Sequence, residues 1–227
     1  LISLVKDTSL ASTILVTDTI KTSGGGGSGP STTAFFLSTN LTFDAADTRL
    51  SGARTVGSLD AGASSMGTTA VALPVVTPGT WYLVAVADDA GEVAETQETN
   101  NTRVATIYIG PDLLAASVTA PFTVTAGTLM TVTDSVRNIG ADVAAASTTR
   151  FYLSLNGTLD ATDILLDGER AVAAIAVNGI STGSTTMMIP AGLSGRYNLL
   201  AIADALGVVA ESSETNNVSL RSITINP

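Results

Sequence analysis

The sequence matches itself at one fixed offset, and this internal repeat constrains the fold more than any other feature. Residues 83–101 read LVAVADDAGEVAETQETNN, and 116 positions later residues 199–217 read LLAIADALGVVAESSETNN. A repeat of this length is long enough to form a complete domain with its own core. We therefore predict two domains of one fold, residues 1–110 and 111–227.

The pattern within each repeat is that of short strands. In the second repeat Met130, Val132 and Val136 alternate with Thr and Ser, which is the period-2 pattern of a half-buried strand. The stretch 197–203 is apolar on both faces, as a central strand is. About seven such strands per repeat, separated by turn signals, predict an all-β chain of two tandem immunoglobulin-like antiparallel β-sandwiches. The chain has no Cys, so neither sandwich has a disulfide.

In the alignment of the two repeats, the first residues of repeat 2 have no counterpart in the given sequence of repeat 1. Repeat 2 opens with Asp112-Leu113-Leu114, and the counterparts of these residues would precede Leu1. One interpretation is a fragment of a longer array, because repeat arrays usually continue. The other is that repeat 1 lacks half of its first strand, so that the edge at residues 1–12 is open to a strand from another chain. The second interpretation predicts a filament subunit that assembles by strand complementation.

Charge and residue types exclude several classes of function. Twenty acidic against ten basic residues give a net charge of −10, which opposes binding to nucleic acid. The absence of Cys and His excludes His-based triads, structural zinc sites and haem ligation. The carboxylates, Ser and Thr form no convincing catalytic pair, so no enzyme activity is expected. No run of about 18 apolar residues occurs, so no membrane span is expected in this sequence.

Several motifs together resemble one family. In chain order they are Asp-Leu at 112–113, Asn-x-Gly at 138–140, Phe-Tyr-Leu-Ser at 151–154, Leu-Asp-x-x-Asp at 159–163 and Val-x-Glu-x-x-Glu-x-Asn-Asn at 209–217. This order is similar to the CARDB domain, the cell-adhesion-related domain found in bacteria. Repeat 1 departs from it, because Thr22-Ser23-Gly24 replaces Asn-x-Gly and the opening Asp-Leu is missing. The resemblance implies a non-catalytic β-sandwich of extracellular bacterial or archaeal proteins, often in tandem.

The favoured function is an extracellular or cell-surface structural or adhesive module. Its expected partners are neighbouring repeats, other copies of the same protein, or a cell-surface or extracellular polymer. The alternative from another class is an ancillary carbohydrate-binding module of a secreted enzyme. Sugar platforms usually expose aromatic side chains, whereas the only Trp, Trp81, aligns with Tyr197 on a central strand and is predicted to lie in the core.

Carboxylates at equivalent positions are candidate calcium ligands, and calcium is the one cofactor that the sequence suggests. The candidates are Asp44, Asp47, Asp160, Asp163 and Asp204. Paired carboxylates in a short loop offer the oxygen ligands that Ca²⁺ prefers. Asp204 enters this set through the hypothesis that loops of the two repeats form a cation or hydrogen-bonded junction. The alternative is that these Asp residues make turns, since an EF-hand loop would need more ligands.

The repeated hairpin carries a second carboxylate set, Asp88, Glu95 and Glu98 with their copies in repeat 2. Here we expect the Asp to close the hairpin, the Glu side chains to face solvent and the following Asn pair to form a bulge. The repetition of the Asn pair favours a specific backbone role, because Asn tolerates left-handed φ angles.

A third set consists of Asp18 and its copy Asp134, which lie where the strand alternation predicts an apolar residue. A buried charge needs a partner, and Arg54 and Arg170 are the repeated basic candidates. The alternative is that the strand bulges here and turns the Asp toward water.

Overall fold

The structure is a computed structural model that describes Ser3–Leu4 and residues 12–227. It divides into two compact units, Leu1–Ile109 and Gly110–Pro227. Both units are built from antiparallel strands with short apolar stripes facing inward. In the part of the chain that the structure describes, no helix is long and apolar enough to cross a membrane.

Unit 1 contains two layers of strands that meet at one edge. Its strands are β1 (Ser3–Leu4), β2 (Thr13–Lys21), β3 (Ser31–Ser38), β4 (Thr48–Val56), β5 (Ser64–Ala72), β6 (Gly79–Val86) and β7 (Thr102–Ile109). Their order is β1-β2-β5-β4-β3-β6-β7. A single register pair, Ser51 with Ala72, links β4 to β5 and so joins the two layers.

Unit 2 shows the same layers as separate sheets. Its strands are β8 (Leu113–Thr119), β9 (Thr123–Thr125), β10 (Leu129–Asn138), β11 (Ser147–Ser154), β12 (Ile164–Val172), β13 (Ile180–Met188), β14 (Gly195–Ile202) and β15 (Val218–Asn226). One sheet has the order β13-β10-β8 and the other β12-β11-β14-β15-β9. All pairs are antiparallel except β15 with β9. The predicted fold, two tandem immunoglobulin-like sandwiches, is confirmed.

The core of each unit is aliphatic around one central aromatic ring. Phe35 in unit 1 and Phe151 in unit 2 occupy equivalent positions and are fully buried. The chain contains only 4% aromatic residues, so Val, Leu and Ile fill the remaining space between the sheets. Trp81 packs against the core of unit 1 and its indole N–H donates to the Thr77 carbonyl at 3.0 Å, which agrees with its predicted core position.

The start of the chain is only partly described. Within β1, Ser3 pairs with Thr17 and Leu4 pairs with Val16 on β2. In unit 2 the equivalent pairing joins Thr119 to Thr133. Apart from Ser3, Leu4 and Ser12, the predicted open edge at residues 1–12 lies outside the described residues.

Candidate functional site

The buried Asp of each repeat is paired with the Arg that the sequence indicated. Asp18 on β2 is 2% exposed, and the Arg54 Nε and Nη2 atoms on β4 donate to its two carboxylate oxygens at 2.8 and 2.5 Å. Asp134 and Arg170 repeat this geometry with the same two distances. The pair links the two layers of each sandwich. The alternative that a bulge turns the Asp toward water is wrong, because Asp18 and Asp134 are both buried. β2 pairs with β5 in unbroken register through Asp18, and the irregularity of β10 with β8 beside Asp134 does not expose that residue.

A glycine on the neighbouring strand makes room for each of these arginines. Gly67 lies opposite Asp18 on β5, and a Cβ atom at Gly67 would lie 2.6 Å from Arg54 Cδ. Gly183 has the same relation to Arg170, again at 2.6 Å. The arginine stem therefore crosses the strand where a side chain is missing, as Gly in a strand interior often permits. The signal in the sequence was a mid-strand Gly repeated in both copies, which went unrecognised.

The first calcium candidates lie in exposed loops, where they make turns. In unit 1 the Ala46 N–H donates to Asp44 Oδ1 at 2.7 Å, and the Asp44 N–H donates to Asp47 Oδ2 at 3.1 Å. Side chains that accept backbone N–H groups two or three residues away are typical of Asx turns. The carboxylates therefore shape the loop between β3 and β4.

The copy in unit 2 has the same turn with more hydrogen bonds. Asp160 Oδ1 accepts the backbone N–H of Thr162 at 2.8 Å, and Oδ2 accepts the Asn156 amide at 2.9 Å. Hydrogen bonds from the Thr162 side chain, the Asn156 amide and the Thr162 backbone lower the pKa of Asp160. Asp163 Oδ2 accepts the Asp160 N–H at 3.0 Å. Among the described residues no group of three or more Asp or Glu is placed to hold a metal ion, and calcium stays a prediction.

The hairpin Asp of each repeat caps the loop that follows it. Asp204 has a φ angle of 43°, and its Oδ2 accepts the Val209 N–H at 2.8 Å while its Oδ1 accepts the Val208 N–H at 3.2 Å. Asp88 has the same role at a φ of 50°, with bonds from Glu92 and Val93. Both carboxylate oxygens of Asp204 are thus committed to backbone groups of unit 2. The prediction that the Asp closes the hairpin is confirmed.

Of the two other expectations for this segment, the bulge is wrong, and the solvent-facing glutamates are confirmed for Glu95, Glu98 and Glu214 but not for Glu211. The Asn pair does not sit at a bulge, since β6 with β7 and β14 with β15 pair in continuous register. In unit 1 Glu98–Asn100 forms a short 3₁₀ helix instead. Glu211 does not face solvent either: it is 5% exposed, whereas its counterpart Glu95 is exposed.

Glu211 is buried because it accepts hydrogen bonds from the first strand of unit 2. Its Oε2 accepts the backbone N–H of Leu113, which begins β8, and its Oε1 accepts the Asn217 amide at 3.2 Å. Burial raises the pKa of Glu211 to about 7, and repulsion from Glu214 and Asp204 adds to the rise while the bonds from Leu113 and Asn217 oppose it. The carboxylate therefore acts as a support for the strand, and it titrates near neutral pH.

A second apolar cluster of unit 2 contains Leu113, whose N–H donates to Glu211. It joins the first half of β8 to the hairpin loop and to β10 through Leu113, Ala115, Val136, Ala144, Val172, Ile175, Ala203 and Val209. The chain also passes close to Gly140, where an added Cβ atom would lie 2.4–2.5 Å from backbone atoms of residues 110–112. The close passage of the chain therefore requires a glycine at this position.

Comparison with known proteins decides the family. The CARDB family model matches residues 2–105 and again residues 110–221. The chain belongs to the CARDB family. Its two matched segments correspond to the two repeats, and the resemblance stated from the motifs is confirmed. CARDB is a cell-adhesion-related bacterial domain family of immunoglobulin-like fold without enzymatic activity. No curated protein matches the chain.

Solved structures that are similar to this chain come from several sources. A CARDB domain from Pyrococcus furiosus, crystallised in complex with di-metal ions, shows 20% identity and a TM-score of 0.40 over 52% of this chain and 90% of its own. A domain assigned to a cell surface protein of Methanosarcina acetivorans shows 22% identity and a TM-score of 0.40 over 51% of this chain and 92% of its own. Red sea bream transglutaminase shows 17% identity and a TM-score of 0.49 over 100% of this chain and 31% of its own.

Proposed function

We propose that this chain is a non-catalytic structural and adhesive module of an extracellular or cell-surface protein. The proposal is supported by the structural roles of the repeated polar residues. The Asp18–Arg54 pair joins two sheet layers, Asp88 and Asp204 cap loops, and Glu211 supports a strand. These groups hold the backbone, and among the described residues we find no nucleophile paired with a base.

Surface placement and adhesion are tested on intact cells of the source organism. Brief protease treatment of intact cells should release peptides of this chain, with a cytoplasmic protein as the control that stays uncleaved. Beads coated with the folded chain should attach to those cells, and beads coated with the heat-unfolded chain should not. Protection from protease until the cells are lysed would contradict the surface location, and equal attachment of both kinds of bead would contradict specific adhesion.

Filament assembly by strand complementation is the second candidate. It is favoured by a groove in unit 1 that no described residue fills, at the place where unit 2 holds the first half of β8. Light scattering over a range of concentrations tests it, since the average mass should grow with concentration. A constant mass of one chain would remove this candidate. The carbohydrate-binding alternative gains no support, because Trp81 packs against the core.

A further inference from the structure

Two Asn-x-Thr triplets occupy equivalent places in the loops that follow β3 and β11. They are Asn40-Leu41-Thr42 in unit 1 and Asn156-Gly157-Thr158 in unit 2. Residues 39–43 read TNLTF and residues 155–159 read LNGTL, so only the Asn and the Thr are identical. Asn-x-Ser/Thr is the acceptor triplet for N-linked sugar in surface loops of secreted proteins. The two loops thus share the two residues that this triplet requires.

The Asn of each triplet has a structural role in its loop. Asn40 Oδ1 accepts the Thr42 N–H at 2.7 Å, and Asn156 Oδ1 accepts the Thr158 N–H at 2.8 Å. A side-chain oxygen that accepts the N–H two residues later forms an Asx turn. The turn accounts for an Asn at both positions.

The Thr side chain of each triplet has no comparable role. Thr42 and Thr158 are exposed, and their hydroxyl groups form no hydrogen bond with any residue that the structure describes. Any residue other than Pro could donate the same backbone N–H to the turn. The fold therefore accounts for the Asn alone, whereas a triplet that is recognised by a sugar-transferring enzyme accounts for both residues.

Two further Asn-x-Ser/Thr triplets in the sequence are poorer candidates. Asn217-Val218-Ser219 is inaccessible at its Asn, which is 7% exposed and donates its amide N–H groups to two glutamates. Asn100-Asn101-Thr102 has no copy in unit 2, where residues 216–218 read Asn-Asn-Val. Accessibility and repetition together therefore favour the loops after β3 and β11.

The two favoured triplets differ in how the acceptor amide is held. Asn156 Nδ2 donates to Asp160 Oδ2 at 2.9 Å, and this hydrogen bond must break before the nitrogen can react. Asn40 is exposed, and no group in the described part of the chain accepts a hydrogen bond from its amide. Asn40 is therefore the more available of the two nitrogen atoms.

We propose that Asn40 carries an N-linked sugar, transferred from a lipid-linked oligosaccharide pyrophosphate. A bond forms between Asn40 Nδ2 and the anomeric carbon of the sugar, while the bond from that carbon to the pyrophosphate oxygen breaks. The lipid pyrophosphate leaves with the bonding electrons, and one amide proton passes to a base. The inference rests on the proposed extracellular placement, because this modification belongs to secreted proteins, and it adds a covalent modification site.

The sugar would cover apolar side chains of the same loop. Leu41 and Phe43 are 65% and 37% exposed. N-linked sugar is bulky and increases the solubility of the surface that carries it. Modification at Asn40 would therefore shield these side chains from contact with other proteins.

Mass spectrometry of the chain isolated from the source organism tests the proposal. Trypsin, which cleaves after Lys and Arg, releases residues 22–49, in which Asn40 is the only Asn. This peptide should carry added sugar mass. Residues 151–170, which contain Asn156, should be modified in a smaller fraction of chains, and residues 197–221, which contain the buried triplet, should be unmodified.

Variants expressed in the source organism identify the linked atom and separate it from folding. Thr42→Ala should abolish the modification and leave the melting midpoint of unit 1 unchanged, because the Thr42 hydroxyl forms no hydrogen bond with a described group. Thr42→Ser keeps the acceptor triplet and should keep the sugar. Asn40→Gln should remove the sugar, because Gln does not form the triplet.

Three results would overturn the proposal. The first is an unmodified Asn40 in a chain that protease releases from intact cells, which leaves the surface placement in force. The second is an unmodified Asn40 in a chain that is protected until the cells are lysed, which removes the surface placement as well. The third is a sugar that survives Asn40→Gln, because such a sugar is linked to a hydroxyl group.

Discussion

Removal of one partner of the buried ion pair should destabilise one sandwich strongly, and Arg54→Met is the sharpest form of this experiment. The side chains of Arg54 and Asp18 are 11% and 3% exposed, so water cannot replace the guanidinium. The variant leaves the buried Asp18 carboxyl without its two hydrogen bonds from the guanidinium. Breaking a buried pair in this way costs about 3–5 kcal/mol. For a domain of this size the melting midpoint should fall on the order of 10–25 °C.

The assay uses the only Trp of the chain. Trp81 lies in unit 1, so its fluorescence follows the unfolding of that unit. Arg54→Met should shift the fluorescence transition, while the equivalent change Arg170→Met should leave it in place and lower only the calorimetric transition of unit 2. The double variant Asp18→Leu with Arg54→Met should recover part of the loss, because neither charge is then buried alone. A loss below about 1 kcal/mol for Arg54→Met would refute the reasoning, since that is the value of an exposed pair.

Three further predictions concern the loops and the second unit. Gly140→Ala should destabilise unit 2 by about 2 kcal/mol or more in urea unfolding, because the added Cβ atom would lie 2.4–2.5 Å from backbone atoms. The control Gly24→Ala should leave the stability of unit 1 unchanged. The pKa of Glu211 is raised to about 7 from the ordinary 4.5, so the folded state binds more protons than the unfolded state between these pH values. The free energy of unfolding of unit 2 should therefore fall by about 1–3 kcal/mol as the pH rises from 4.5 to 7. Glu211→Gln should abolish this pH dependence. If the Asp loops bind calcium, millimolar calcium should raise the melting midpoint, and the Asp160→Asn and Asp163→Asn changes should cancel the rise. An unchanged midpoint would refute calcium binding.

The fold could be predicted almost completely from the sequence, because the repeat and the alternation of apolar residues report directly on the sandwich. The alternation of Met130, Val132 and Val136 lies within β10, and all but the last residue of the apolar stretch 197–203 lies in β14. The repeated hairpin is more open than the sequence suggests, since β14 ends at Ile202 and β15 begins only at Val218. The capping bonds of Asp204 hold an irregular loop there, and such bonds leave no periodic signal.

The ion pairs could be predicted because a charge within an apolar pattern demands a partner, and Arg54 and Arg170 recur at the same spacing. The difference in burial between Glu95 and Glu211 could not be predicted. Their neighbours in sequence are similar, and the burial of Glu211 depends on a contact from a distant part of the chain. In unit 2 Leu113 supplies that contact from 98 positions away.

The repeated motif buries Glu211 against the first strand of unit 2, whereas the aligned Glu95 of unit 1 is exposed. Calorimetry of Glu211→Ala and Glu95→Ala, with Trp81 fluorescence to assign the transition of unit 1, tests this difference most directly. Glu211→Ala should lower the stability of unit 2 by roughly 1–3 kcal/mol, because the buried Leu113 N–H loses its acceptor. Glu95→Ala should change unit 1 by less than about 0.5 kcal/mol, as a surface substitution does. Equal losses in both units, or no loss in either, would contradict the account.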